Sequence, residues 1–161
     1  MRRLPFMLLA LTLLTGCLER MLPDPDAFSG FREFPEARWL YSRPVVFHPD
    51  TLGDSVARGM LLLSLRHTSD YPYSNLWVEV STADSSRRVL SCDTFDVGLA
   101  DVFGRWYGSG MGASLRYTDT LRRDFRMVRG SNISVRHIMR ADTLPEIEQI
   151  GLIFVPLRQT P

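Results

Sequence analysis

A two-residue rhythm of apolar side chains, cut into short runs by turn residues, limits what this 161-residue chain can become. Residues 75–81 show it most plainly, with Leu76, Val78 and Val80 alternating with Trp77, Glu79 and Ser81. Successive side chains of a strand point to opposite faces, so this run predicts a strand with one face on a core and one in water. Residues 58–67 place Leu61, Leu63, Leu65 and His67 on one face and Met60, Leu62, Ser64 and Arg66 on the other, a strand with a fully apolar face. Shorter or weaker runs follow the same rhythm at 44–48, 87–95, 113–121 and 150–155. Phe125 and Met127 lead through Arg129, Gly130, Ser131 and Asn132 into Ile133, Val135 and His137, which predicts a β-hairpin. No segment carries the 3.6-residue period of a long amphipathic helix. The expected fold is therefore all-β: an antiparallel β-sandwich of about eight strands, jelly-roll-like or immunoglobulin-like.

Ahead of these runs the chain reads as an address. Arg2 and Arg3 precede a mostly apolar stretch at 4–14, which ends in Leu14-Thr15-Gly16-Cys17. A basic n-region followed by a short h-region is a secretory signal, and the run falls short of the roughly 20 residues that span a bilayer. A small residue followed directly by cysteine reads as a bacterial lipobox, cut between Gly16 and Cys17, with lipid on the sulfur and nitrogen of Cys17. Each buried methylene contributes about 0.8 kcal/mol, and a single chain binds only marginally, so two or three chains hold permanently. The expected organisation is a signal peptide at 1–16, the lipidated cysteine and a tether at 17–37, and a sandwich domain at 38–161. Pro23, Pro25 and Pro35, without clean periodicity, mark the tether, whose Phe28, Phe31 and Phe34 could instead fold back on the domain. No later stretch approaches the length of a membrane-spanning helix, so the domain is expected to be soluble and outside the cytoplasm. Leu18 and Glu19 supply no aspartate-type retention signal, which leans toward the outer membrane, facing the periplasm.

Composition narrows the partners. All 19 basic residues are arginine against 18 acidic ones, and losing Arg2 and Arg3 takes the formal charge from +1 to −1. That balance favours no nucleic-acid partner. With Cys17 lipidated, Cys92 is the remaining thiol, and no internal disulfide is expected.

Catalytic chemistry is not legible in the chain. His48, His67 and His137 lie far apart, with no cysteine or carboxylate at zinc-ligand spacing. There is no Gly-x-Ser-x-Gly elbow, and Gly108-Ser109-Gly110-Met111-Gly112 lacks the lysine of a phosphate loop and reads as a bulge or wide turn. Asp93, Asp96 and Asp101 lack the spacing of a calcium loop. The expectation is a non-enzyme with no catalytic residue, no metal, no cofactor beyond the covalent lipid on Cys17, and no small-molecule substrate. Two aromatic clusters remain as candidate contacts for a protein partner or a glycan: Tyr71 and Tyr73 about Pro72, and Trp106 with Tyr107 inside 104–112.

These motifs also carry a resemblance. The lipobox cysteine, the stretch Asp70-Tyr71-Pro72-Tyr73-Ser74-Asn75-Leu76, then Gly104-Arg105-Trp106-Tyr107-Gly108-Ser109-Gly110-Met111-Gly112, and finally Ile138-Met139-Arg140 resemble the gliding motility lipoprotein GldH family. The resemblance spans nearly all of the chain after Cys17 and departs from the family pattern at Pro5, Cys92 and His137-Ile138. It implies an accessory lipoprotein of the envelope gliding machinery, linked to type IX secretion, whose partners are other gliding or secretion proteins. It implies no active site. Three classes of function follow: an interaction scaffold, a glycan-binding module using Tyr71, Tyr73, Trp106 and Tyr107, and a hydrolase whose groups meet only in space.

Overall fold

The structure, a computed structural model, describes residues 27–49 and 56–157. Cys17, the signal and the tether as far as residue 26 lie outside the described residues. Eleven strands follow in order: β1 (Phe28–Glu33), β2 (Trp39–Leu40), β3 (Val45–Phe47), β4 (Val56–Thr68), β5 (Asn75–Ala83), β6 (Val89–Gly98), β7 (Ser109–Met111), β8 (Ser114–Val128), β9 (Asn132–His137), β10 (Thr143–Leu144) and β11 (Ile147–Pro156). One 3-10 turn, Pro35–Ala37, joins them, and no α-helix occurs among the described residues.

Every pairing is antiparallel. One sheet runs β1-β11-β4-β8-β7, the other β3-β9-β5-β6, and β2 pairs with β10 in a short ribbon. With the ribbon and the three-residue β7 set aside, eight strands remain, four to a sheet. In chain order they read first-eighth-third-sixth in one sheet and second-seventh-fourth-fifth in the other. This is the double Greek key of a jelly roll. An immunoglobulin sandwich would put its first, second, fourth and fifth strands in one sheet, so the structure decides between the two sandwich types.

The alternation lands where it was read. Leu61, Leu63 and Leu65 on β4, Leu76, Val78 and Val80 on β5, Ile133 and Val135 on β9, and Ile150, Leu152 and Phe154 on β11 are all buried between the sheets. Each such side chain contributes about 1.5–3 kcal/mol. On the open flank Arg122 of β8 reaches Asp93 of β6 at 2.9 Å and ties the two sheets together.

Two expectations are corrected. Residues 125–137 do not form a hairpin, because β8 pairs with β4 and β7 while β9 pairs with β3 and β5. The link between them crosses from one sheet to the other, with Gly130 at φ 72°. Ser131 donates to the Val128 carbonyl from both its hydroxyl, at 2.6 Å, and its backbone N–H, at 3.1 Å. Both sheets face the same core, so the rhythm separates inside from outside but does not say which sheet a strand joins.

The tether boundary also moves. Phe28–Glu33 is an edge strand bonded along β11 from Phe28↔Phe154 to Glu33↔Gln149, so residues ahead of 38 already belong to the sheet. Phe28 points inward, edge-on to Phe47 at 6.4 Å. Phe31 covers the outer face over Gly151, where a Cβ would sit 2.4 Å from the ring.

Register sorts the connections to two ends. The near pole collects the start of β4 beside the end of β8 (Val56↔Val128), the β5–β6 turn beside the start of β9 (Ala83↔Asn132), and the end of β11. The first residue of β1 pairs toward this end, opposite Phe154. The far pole collects the segments at 69–74, 99–108 and 138–142 and the β2–β10 ribbon, gathered by Thr68↔Ser114, Asn75↔Gly98 and the Ile138 N–H donating to the Trp77 carbonyl.

Candidate functional site

All four aromatics singled out in the sequence lie at the far pole, but they do not form one exposed platform. Tyr71 is 3% exposed. Its hydroxyl donates to the Asn75 carbonyl at 3.2 Å, and its ring sits between His67 at 5.6 Å and Tyr73 at 5.5 Å. Burial, with Tyr73 beside it, pushes its phenol well above the usual range. Trp106 is half-buried against His67, with ring centroids 4.7 Å apart. These two rings plug the end of the sandwich. Tyr71 as an outward contact is therefore corrected: its N–H donates back to the Thr68 carbonyl, and that turn swings the ring inward.

Tyr73 and Tyr107 remain exposed, and Tyr107 leans on Tyr117 at 5.9 Å. The rings are also not coplanar, being inclined 69° between Tyr71 and Tyr73 and 47° between Tyr71 and Trp106.

Tyr73 instead joins residues from elsewhere. With Trp77, Ile138, Met139 and Arg140 it lines an open cleft of about 510 Å³. Trp77 stands on the outer face of β5, as the alternation requires, and is 41% exposed. Past the last paired residues, Val78↔His137, the chain leaving β9 folds along β5. The Ile138 N–H reaches the Trp77 carbonyl at 2.9 Å, and the Trp77 N–H points at the Met139 sulfur at 3.3 Å. A soft thioether, two ring faces and one cation suit a planar or apolar group that carries negative charge. The signal in the sequence was a tryptophan on the solvent side of an alternating strand. Its cleft neighbours 138–140 are distant in sequence.

The hairpin at 99–107 adds a rigid tip. Asp101 Oδ1 accepts the N–H groups of Phe103 and Arg105, both at 2.9 Å, and its Oδ2 accepts Arg105 Nε at 2.8 Å. These bonds, the Arg105 N–H first, hold the Asp101 carboxyl below the usual carboxylate range. The fixed turn presents Val102 and Phe103, 94% and 82% exposed, and the β7–β8 hairpin presents Met111.

Groups suited to catalysis do not converge among the described residues. His48 bonds Asn132 at 2.6 Å, His67 donates from Nδ1 to the Thr68 carbonyl at 2.8 Å, and His137 lies edge-on to Trp39 and Tyr41. Burial lowers the pKa of both His67 and His137. No three metal-ligating side chains gather among the described residues. Cys92 is exposed on β6, and desolvation with Glu79 nearby raises its pKa, the reverse of an activated nucleophile.

The fold and this surface define a jelly-roll domain with an aromatic cleft at one pole. The chain belongs to the GldH lipoprotein family, which matches residues 26–153. Membership makes it a lipoprotein associated with gliding motility, and so a membrane-attached protein of the cell envelope. No curated protein matches the chain.

Among solved structures it is similar to a carbohydrate binding module from glycoside hydrolase family 9 (Cel9A) of Ruminococcus flavefaciens FD-1. Identity there is 13% and TM-score 0.40, over 79% of this chain and 98% of the other. It is also similar to Eiger TNF from S. frugiperda, at 13% identity and TM-score 0.33 over 84% and 95% of the two chains. The globular domain of zebrafish complement 1qA is similar at 14% identity and TM-score 0.34, over 84% and 100%.

Proposed function

We propose that this protein is a non-enzymatic accessory component of the gliding machinery and its associated type IX secretion apparatus. Lipid on Cys17 holds it to the outer membrane, facing the periplasm, and the far pole grips another envelope protein. The observation that carries this reading is the placement of Trp77 and Tyr73, two exposed rings in one cleft at the pole away from where the N-terminal chain joins the sheet. Rings of this kind anchor protein interfaces when a partner covers them. Capture of the anchored protein from crosslinked envelopes tests the proposal. Recovery of a gliding or secretion component, reduced at least tenfold by Trp77→Ala, is the expected result. Recovery of none, or recovery indifferent to Trp77, overturns it.

The same two rings favour one alternative, a glycan stacked in the cleft. Co-sedimentation with purified envelope polysaccharide that depends on Trp77, with no protein captured, would select that reading.

A further inference from the structure

A second cleft, of about 350 Å³, opens at the far pole around the 3-10 turn. Its apolar side is made by Phe34, stacked on Trp39 at 5.2 Å and 21°, together with Pro35 and Leu40. Arg38, Arg43 and Thr143 supply its polar side. Neither arginine makes an ion pair among the described residues.

The backbone that presents Arg38 is strained. Glu36 and Ala37 are consecutive non-glycine residues at φ 57° and 51°. Such conformations persist only where the surroundings impose them, and they concentrate at working sites. Here the imposing bonds run from the Phe34 N–H to the Glu148 carbonyl at 2.8 Å, from the Ala37 N–H to the Phe34 carbonyl at 3.1 Å, and from the Arg38 N–H to the Pro35 carbonyl at 3.3 Å. The turn that carries Arg43 is fixed as well. Trp39 Nε1 donates to the Arg43 carbonyl at 3.3 Å, and the Arg43 N–H donates to the Leu40 carbonyl at 3.1 Å.

We infer that this cleft is a docking site for an acidic peptide segment of a partner protein, one with a carboxylate side chain next to an apolar one. The guanidinium groups of Arg38 and Arg43 are free to take the carboxylate in charge-assisted hydrogen bonds. The apolar neighbour lies on Phe34 and Leu40. Glu36, the acidic residue of the wall, repels a carboxylate set beside it and so fixes the direction in which the peptide lies. The inference goes beyond the proposed function, because it holds whatever machine the partner serves and uses a different cleft from that of Trp77.

The test uses the full lipidated protein in zwitterionic detergent and two labelled peptides, Leu-Asp-Phe-Asp-Leu-Asp and its all-asparagine counterpart, read by fluorescence anisotropy. Binding of the acidic peptide should exceed that of its counterpart by about tenfold or more. It should weaken in about 0.5 M salt, where screening is strong. The double variant Arg38→Gln with Arg43→Gln should lose it at an unchanged melting temperature, since both side chains are exposed. Equal binding of the two peptides, undiminished binding by the double variant, or no binding at all overturns the inference. Phosphatidylglycerol vesicles form the second arm, and variant-sensitive binding to them without binding to the acidic peptide also overturns it, in favour of a lipid surface.

Discussion

His67 and His137 occupy inward positions of β4 and β9 that the alternation otherwise gives to apolar side chains, and both are fully buried. Desolvation lowers their pKa below the 6.5 of a free imidazole, so the unfolded chain binds protons that the folded chain refuses. Stability is then unaffected above about pH 6.5 and falls as the pH drops below it, by up to about 1.4 kcal/mol per pH unit for each imidazole. Melting temperatures measured from pH 7.5 to 5 should fall, and the fall should flatten in a His67→Phe, His137→Phe double variant. A slope unchanged by that substitution would show that other groups carry it. At this scale the sequence told outward from inward residues on the strands, Trp77 included. It could not tell that Tyr71 turns inward, because that depends on a hydrogen bond back to Thr68 and on the space left beside His67.

Elements of six residues or more that alternate were legible: β4, β5, β6, β8, β9 and β11 all overlap the runs read from the sequence. β2, β7 and β10, at two or three residues each, are too short to display a period. β1 was legible only as aromatics that could fold back on the domain, because prolines flank it and the outward ring of Phe31 breaks the alternation until Gly151 beneath it is known. The pairing of β4 with β11 is close enough to test directly. A Cβ on Gly59 would sit 2.2 Å from the Val155 carbonyl oxygen and 2.7 Å from the Phe154 ring. Gly59→Ala should therefore cost about 1–3 kcal/mol in chemical denaturation, as overpacking does elsewhere. Removing the chain through Glu33 should bare the edge of β11 and shift the protein to oligomers in size-exclusion chromatography, since uncovered edges pair with whatever strand they meet. A monomer of unchanged stability would mean that β1 closes nothing.

For the whole molecule, Cys17 is expected to decide address and the jelly roll to decide shape. Cys17→Ala should move the protein out of the membrane fraction, and unchanged fractionation would refute lipidation as the anchor. A signal and a lipobox are local motifs and so can be read as an expectation from the sequence, whereas the far pole was not legible, because it is assembled by strand order from four separate stretches of chain. That polarity has a mechanical consequence. If lipid pulls on the N-terminal chain while a partner holds the far pole, the load runs along β1, parallel to its register with β11. All the hydrogen bonds of that pairing then resist together in shear, instead of parting one at a time as in a zipper opened from its end. Under such a load, the strand nearest the N-terminal chain is also the one oriented to withstand it.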